Sequence, residues 1–297
     1  VCIFEKKVLE IAERENKGVG KPKWIRVKLP TGKKYTELRG LVDQYKLNTI
    51  CTSGSCPNIG ECWTEGTATF MILGNICTRS CGFCGVKTGR PGNVDWEEPE
   101  KVAQSIKIMK IKHAVITSVD RDDLTDMGSI IWNETIKAVR RLNPGTTLET
   151  LIPDFQGNKT NIDRIIEAAP EVVSHNLETV RRLTREVRVQ AKYDQSLEVL
   201  KYLKQMGVNR TKSGVMLGLG EKEEEVYETL HDLRKAEVEV VTIGQYLQPS
   251  KKHLPVKSFI SPQTFKQYET VAKDLGFRHV ESGPLVRSSY KAHKHLH

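Results

Sequence analysis

Three cysteines stand in the run Cys77-Thr78-Arg79-Ser80-Cys81-Gly82-Phe83-Cys84, a Cys-x3-Cys-x2-Cys spacing. Thiolates this close can converge on one soft metal centre, and three of them leave one coordination position open. Structural zinc sites close with four protein ligands, whereas a four-iron cluster on three thiolates offers its remaining iron to an outside ligand. The alternative is a zinc site completed by a distant histidine, and the loop's place directly after a predicted strand argues against it. Phe83, between the last two ligands, would shield the centre.

A second triad lies upstream, Cys51, Cys56 and Cys62 in Cys-x4-Cys-x5-Cys spacing, and it too lacks a fourth cysteine. Gly54 and Gly60 let the chain turn tightly between these thiolates, as wrapping a cluster requires. A structural metal site is the bland reading, since a triad alone does not separate cluster from zinc. Six of the seven cysteines fall between Cys51 and Cys84, which implies ligation and not a disulfide framework in a chain of 297 residues. Cys2 stands apart and reads as an ordinary thiol.

The cysteines must be positioned by what surrounds them. A buried-strand run at 69–73 precedes the loop, and a helical pattern at 99–109 with Val102, Ile106 and Met109 on one face follows it. Five more strand and helix pairs succeed it: 113–119 with 130–142, 147–152 with 162–169, 172–175 with 196–206, 210–217 with 226–236, and 238–243 with 265–275. Six such units predict an α/β fold with a parallel sheet and right-handed crossovers. The expectation is a partial (β/α)6 TIM-type barrel with an N-terminal cluster-binding extension and a C-terminal segment. Active residues should then follow the strand C-termini. The expected divisions are a mobile segment at 1–22, an extension at 23–66 carrying the upstream triad, the barrel at 67–279 and a C-terminal segment at 280–297. Glu223, Glu224 and Glu225 suit a helix start, and Phe265, Tyr268, Val271 and Leu275 read as core. The tail 291–297 holds three histidines and two lysines and reads as mobile.

Composition narrows the function. With 46 Lys+Arg against 37 Asp+Glu the net charge is +9, and 38% hydrophobic with 28% charged residues is a globular balance. No apolar run approaches the ~20 residues that span a bilayer, and the first twenty residues lack a signal-peptide core, so a membrane role and secretion are not expected. A cytoplasmic location follows by default. Aromatics at 6% and no recognition motif argue against nucleic acid.

The Cys77, Cys81 and Cys84 loop resembles that of the radical S-adenosylmethionine superfamily. With the upstream triad and further runs, the chain is similar to the lipoyl synthase family from about Pro22 to Tyr290. Those runs are Glu61-Cys62-Trp63, GTATF at 66–70, AVITSVDRDDL at 114–124, SHNLETV at 174–180, GQYLQP at 244–249 and Arg287-Ser288-Ser289-Tyr290. The sequence departs from the family's usual pattern at Thr64, Asn75, Gly82 and Gly85. None of these removes a ligand, and the two loop glycines are expected to loosen the loop.

The resemblance implies two 4Fe-4S clusters and S-adenosyl-L-methionine. Cys77, Cys81 and Cys84 would hold the cluster whose open iron chelates the cofactor, giving a 5′-deoxyadenosyl radical. Cys51, Cys56 and Cys62 would hold an auxiliary cluster, with an oxygen ligand from Ser289, or from its neighbour Ser288. The activity implied is insertion of two sulfur atoms at C6 and C8 of a protein-bound octanoyl-lysine, with the auxiliary cluster as the sulfur donor. Inserting sulfur at a saturated carbon needs a radical, because no proton there is acidic and no leaving group exists. Ser118, near the end of the second strand, would face the methionine amine, and Asn176 and Glu178 the ribose hydroxyls. Glu178 could instead be a carboxylate paired with Arg181 or Arg182. Arg188 could pair with the cofactor carboxylate or lie at the surface, and Gly218-Leu219-Gly220 could be a turn or pass beneath the adenine. Implied partners are octanoylated lipoyl carrier domains (2-oxoacid dehydrogenase E2, glycine cleavage H protein), a flavodoxin or ferredoxin reductant, and an iron-sulfur carrier. Competing readings are another radical enzyme with an auxiliary cluster and a metal-stabilised nucleic-acid-binding protein.

Overall fold

In the computed structural model, residues 22–25, 32–44, 49–53 and 56–296 are described. The expected mobile segment as far as residue 21, with Cys2, and the turn residue Gly54 lie outside them. The strands are β1 (Thr67–Ile72), a short pair β2 (Ile76–Cys77) and β3 (Lys87–Thr88), then β4 (His113–Ser118) and β5 (Thr147–Leu151). β6 (Val172–Ser174), β7 (Thr211–Leu217), β8 (Val240–Gln245) and β9 (His279–Gly283) complete the set. Apart from β2 and β3, which pair with each other, they form one parallel sheet in the order β1-β4-β5-β6-β7-β8-β9. Runs such as Thr67–Ile72 and Val240–Gln245 are buried almost throughout, as expected where both faces of a parallel strand are covered.

Before the sheet come α1 (Lys33–Gln44), α2 (Ile50–Ser53) and α3 (Ile59–Thr64). Around it lie α4 (Glu98–Ile108), α5 (Ser129–Leu142), α6 (Lys159–Glu167), α7 (Thr184–Val187), α8 (Tyr193–Gln205), α9 (Glu223–Lys235) and α10 (Pro262–Asp274). Their ends follow local chemistry. Pro262 opens α10 while Ser261 accepts the Thr264 N–H, and α9 begins with three glutamates and ends in Arg234 and Lys235. One core cluster packs β1, β4 and β5 under α4, α5 and α6, with Trp63 and Trp132 fully buried. A second packs β7 and β8 under α9 and α10 around Phe265 and Tyr268.

Each expected strand is present, and the sheet carries one more. β9 is half-buried along its whole length, and His-Val-Glu-Ser-Gly shows neither an apolar run nor a strict alternation. It pairs with β8 and straddles the expected division at 279 and 280. The tail also differs from expectation. Ala292–Leu296 forms a 3-10 turn, and Ala292 and His295 are fully buried. His295 Nδ1 lies 3.9 Å from Glu149 Oε2, inside the barrel, where Glu149 Oε1 pairs with Lys212 Nζ at 2.7 Å. Packing against this buried pair, not freedom, sets the tail's place. No helix among the described residues is long and apolar enough to cross a membrane.

Candidate active site

The loop of Cys77, Cys81 and Cys84 leaves β2 beside the end of β4. Cys77 Sγ receives backbone N–H groups from Arg79 at 3.4 Å and Asp120 at 3.3 Å. Arg79, within the loop, is buried and grips three carboxylates from two strand ends. Its Nε and Nη2 reach Asp122 at 2.7 and 2.8 Å, Nη2 reaches Asp154 at 2.8 Å, and Nε stands 3.4 Å from Asp120. Burial alone would lower the guanidinium's pKa, but the hydrogen bonds to Asp122 and Asp154 outweigh it and hold the charge firmly. The loop is therefore pinned to the ends of β4 and β5.

Gly82 and Gly85 do the opposite of loosening. The Gly82 N–H donates to Val187 O at 2.9 Å and its carbonyl accepts the Leu254 N–H at 3.0 Å. A Cβ at Gly82 would stand 2.9 Å from Leu254 Cδ1, and one at Gly85 3.4 Å from Pro249 Cβ. Both glycines admit a segment after β8 that lies against the loop.

The loop forms one wall of a cavity of about 300 Å3 at the strand C-termini, and Cys77, Cys81 and Cys84 all line it. Ser118, Asn176 and Glu178 line it as well, and Ser288 and Ser289 reach it from the C-terminal segment. Glu178 has a left-handed backbone, φ 66°, and is half-buried, and desolvation raises its carboxyl pKa against an opposing pull from Arg188. Asn176 Nδ2 donates to Glu178 Oε1 at 3.0 Å, while Asn176 Oδ1 is buried with no partner among the described residues. An unsatisfied buried acceptor beside a raised carboxyl at a cavity wall is what a hydroxyl-bearing ligand would satisfy. Ser118 Oγ accepts from Trp132 Nε1 at 3.2 Å, which fixes the hydroxyl at the cavity's β4 side.

The upstream triad abuts the other end of the cavity. Thr69 N–H donates to Cys51 Sγ at 3.4 Å, and Ile50, beside Cys51, lines the cavity. The C-terminal segment closes on this triad from both sides of its serines. Arg287 acts electrostatically on Cys56, and the Lys291 backbone N–H hydrogen-bonds Cys62. Asn58 Nδ2 donates to Leu285 O at 2.7 Å and Tyr290 Oη to Glu61 at 3.1 Å, so Ser288 and Ser289 are held between these anchors.

The thiols have the chemistry of soft-metal ligands, but among the described residues no group of three or more His, Cys, Asp or Glu side chains is placed so as to hold a metal ion. All six are free, and burial pushes their pKa values up, Cys62 and Cys81 to about 12 and Cys77 to about 11. Within each triad the cysteines repel one another as thiolates, since Cys56 and Cys51 raise Cys62 while Cys84 raises Cys77 and Cys81. Three mutually repelling, desolvated sulfurs are poor as bare thiolates and good as ligands of iron or another soft cation.

Of the expected site residues, Cys77, Cys81, Cys84, Ser118, Asn176, Glu178 and Ser289 line one cavity, and Cys51, Cys56 and Cys62 do not line it. Glu178 is not paired with Arg181 or Arg182, which bind Asp194 and Glu225. Arg188 is buried at the cavity, donating to Leu177 O and Ser196 Oγ, so it is no surface residue. Gly218 and Leu219 turn their N–H groups onto the Glu221 carboxylate at 2.5 and 2.9 Å, the geometry of a turn. Residue reading missed Asp154 and His175 on the cavity wall and the bracing role of Arg79. Arg79 lies inside the loop motif, and a cation there facing the acidic run of Asp120, Asp122 and Asp123 was the available signal.

Residues 71–233 match the Radical SAM superfamily. Lipoyl synthase, mitochondrial, of Nematostella vectensis is 81% identical over 277 residues, 93% of this chain and 95% of the relative. Lipoyl synthase of Flavobacterium psychrophilum is 80% identical over 278 residues, 94% and 96% of the two chains. Among solved structures, the FeFe-hydrogenase maturase HydG of Carboxydothermus hydrogenoformans superposes with a TM-score of 0.58 at 13% identity, over 98% of this chain and 78% of that one. Methylornithine synthase does so with a TM-score of 0.55 at 14% identity, over 84% and 76%. These structural likenesses establish a shared barrel.

Proposed function

This chain belongs to the lipoyl synthase family of the Radical SAM superfamily, and from that membership we propose how its residues divide the work. The enzyme inserts sulfur by radical chemistry on lipoyl carrier proteins, using a 4Fe-4S cluster and S-adenosylmethionine. Cys77, Cys81 and Cys84 would hold that cluster. The bound cluster and cofactor supply the odd-electron chemistry, removal of hydrogen from saturated carbon, that acid-base groups cannot provide.

The protein's own part is placement. Arg79, through Asp122 and Asp154, fixes the loop against β4 and β5. Asn176 and Glu178 would accept hydrogen bonds from the cofactor ribose, and Ser118 with Asp120 would face its methionine end. The raised Glu178 carboxyl fits a group that stays desolvated, and the Arg188 charge beside it offsets part of that desolvation. The apolar side of the cavity, with Phe83, Leu151 and Ile152, suits an acyl chain and excludes water.

Cys51, Cys56, Cys62 and Ser289 would hold an auxiliary 4Fe-4S cluster that serves as sulfur donor to C6 and C8 of an octanoyl-lysine. An oxygen ligand among thiolates is the hard member of a soft set and the one released most readily. The single observation that carries the reading is the shared cavity: one wall holds the Cys77 loop and another the serines whose flanking residues Arg287 and Lys291 act on Cys56 and Cys62. Octanoylated domains of 2-oxoacid dehydrogenase E2 and glycine cleavage H protein are the proposed substrates, with a flavodoxin or ferredoxin reductant and an iron-sulfur carrier for rebuilding. Free thiols suit a reducing compartment; we place the enzyme in the cytoplasm, and a mitochondrial matrix would meet the same requirement.

The division is tested by anaerobic reconstitution and iron and sulfide analysis. Wild type should hold about eight of each, and the serine triple variants of either triad about four. Cofactor cleavage to 5′-deoxyadenosine should survive loss of the Cys51 triad and vanish with loss of the Cys77 triad. Stoichiometric zinc without sulfide contradicts the reading.

A further inference from the structure

The ring of His253 stands on the outside of the cysteine loop, with Nε2 2.9 Å from the Cys84 carbonyl oxygen and Nδ1 2.9 Å from Ser250 Oγ. His253 belongs to the segment 248–254, which is strapped to the loop by the Leu254 N–H on Gly82 O and by Pro249 against Gly85. No residue of 248–258 lines the cavity between the triads or the adjoining one beneath Tyr246, so the strap covers the loop and not the reaction space. Its surface is cationic. Lys251, Lys252 and Lys257 are exposed on it, Lys87 and Arg90 are exposed on the return of the loop, and neither 78–94 nor 246–268 contains an Asp or Glu. A carboxylate-free stretch on both covering segments is unusual in a chain with 37 acidic residues.

We propose that this face is the docking site of the reductant: an acidic, low-potential electron carrier protein rests on Lys251 and Lys252, and its electron enters through His253 and Cys84. The proposal rests on the reading that Cys77, Cys81 and Cys84 hold a redox centre. One electron leaves the donor and arrives at the centre that Cys84 holds, so the donor is oxidised by one, the centre is reduced by one, and no bond is made or broken. The strap suits this partner better than the acyl carrier. An acyl chain must enter the cavity, to which the strap contributes nothing, whereas an electron needs only a short path to a ligand. From the ring of His253 that path is one hydrogen-bond contact to Cys84.

The test is the Lys251→Glu, Lys252→Glu double variant of the reconstituted enzyme, read by anaerobic stopped-flow bleaching of the cluster absorbance. Reduced flavodoxin should reduce it about tenfold more slowly than wild type at low ionic strength, with the difference closing near about 0.5 M salt. Reduced methyl viologen, a small cation that needs no docking site, should not be slowed. Equal rates with flavodoxin, or equal slowing with viologen, overturn the proposal. So does a variant that loses affinity for an octanoylated carrier domain while its reduction kinetics stay unchanged. If the parent reading is at fault, the reconstituted Cys51→Ser, Cys56→Ser, Cys62→Ser variant, which keeps only the Cys77 loop, shows no chromophore that dithionite bleaches, and this is seen before any flavodoxin is added.

Discussion

Arg79 Nη2 lies 2.8 Å from Asp154 Oδ1, and this contact ties the cysteine loop to the chain just after β5. Both side chains are almost wholly out of water, at 5% and 1% exposure, so neither charge tolerates the loss of the other. The same guanidinium binds Asp122 in a bidentate fork. Placement of the first triad is thus an electrostatic problem solved by one residue.

Arg79→Leu should destabilise the metal-free protein by roughly 3–5 kcal/mol, because Asp154 is left buried and unpaired. Arg79→Lys should recover only part, lacking the planar fork. Urea denaturation at neutral pH measures both. A loss under about 1 kcal/mol for the leucine variant would show that the network does not hold the loop.

Acid should weaken the fold through its buried histidines. Burial pushes His113, His175 and His295 down to about 4, so the folded protein keeps them neutral while unfolded histidines titrate near 6.5. Between those values the unfolded chain binds more protons, so stability is complete above about pH 6.5 and falls as pH drops toward 4. Each site contributes on the order of 3 kcal/mol at the lower end. Denaturation midpoints from pH 7.5 to 4.5 should decline, and His175→Gln should flatten part of the slope. A pH-independent midpoint over that range contradicts the assignment.

Much of this arrangement was legible in the sequence, for identifiable reasons. Cysteine spacing is local, so both triads could be read, and the buried strands announce themselves because parallel strands are apolar on both faces. What escaped is non-local. Arg79 finds Asp122 and Asp154 at 43 and 75 residues' distance. The tail reads as mobile because histidines and lysines suit a solvated end, and only the buried Glu149 and Lys212 pair makes a polar place for His295. β9 lacks an apolar pattern because it edges the sheet and is half-buried throughout.

Gly82→Ala should tighten an already close contact, since its Cβ would meet Leu254 at 2.9 Å. A cost of about 1–3 kcal/mol is expected from overpacking, with Leu254→Ala in the same chain restoring part of it. Thermal melts of the four proteins of this cycle decide the matter. Additive losses would mean that the strap and loop do not touch in solution.

The sulfur that reaches the product is proposed to come from the centre on Cys51, Cys56 and Cys62. Enzyme reconstituted with heavy-isotope sulfide, freed of excess and given one turnover on an octanoyl-lysine peptide in buffer containing ordinary sulfide, tests it by product mass. Two heavy sulfur atoms are expected in the product, and none from a Cys62→Ala variant that has lost the second centre. Ordinary sulfur in the product, or equal sulfur insertion by that variant, would contradict it.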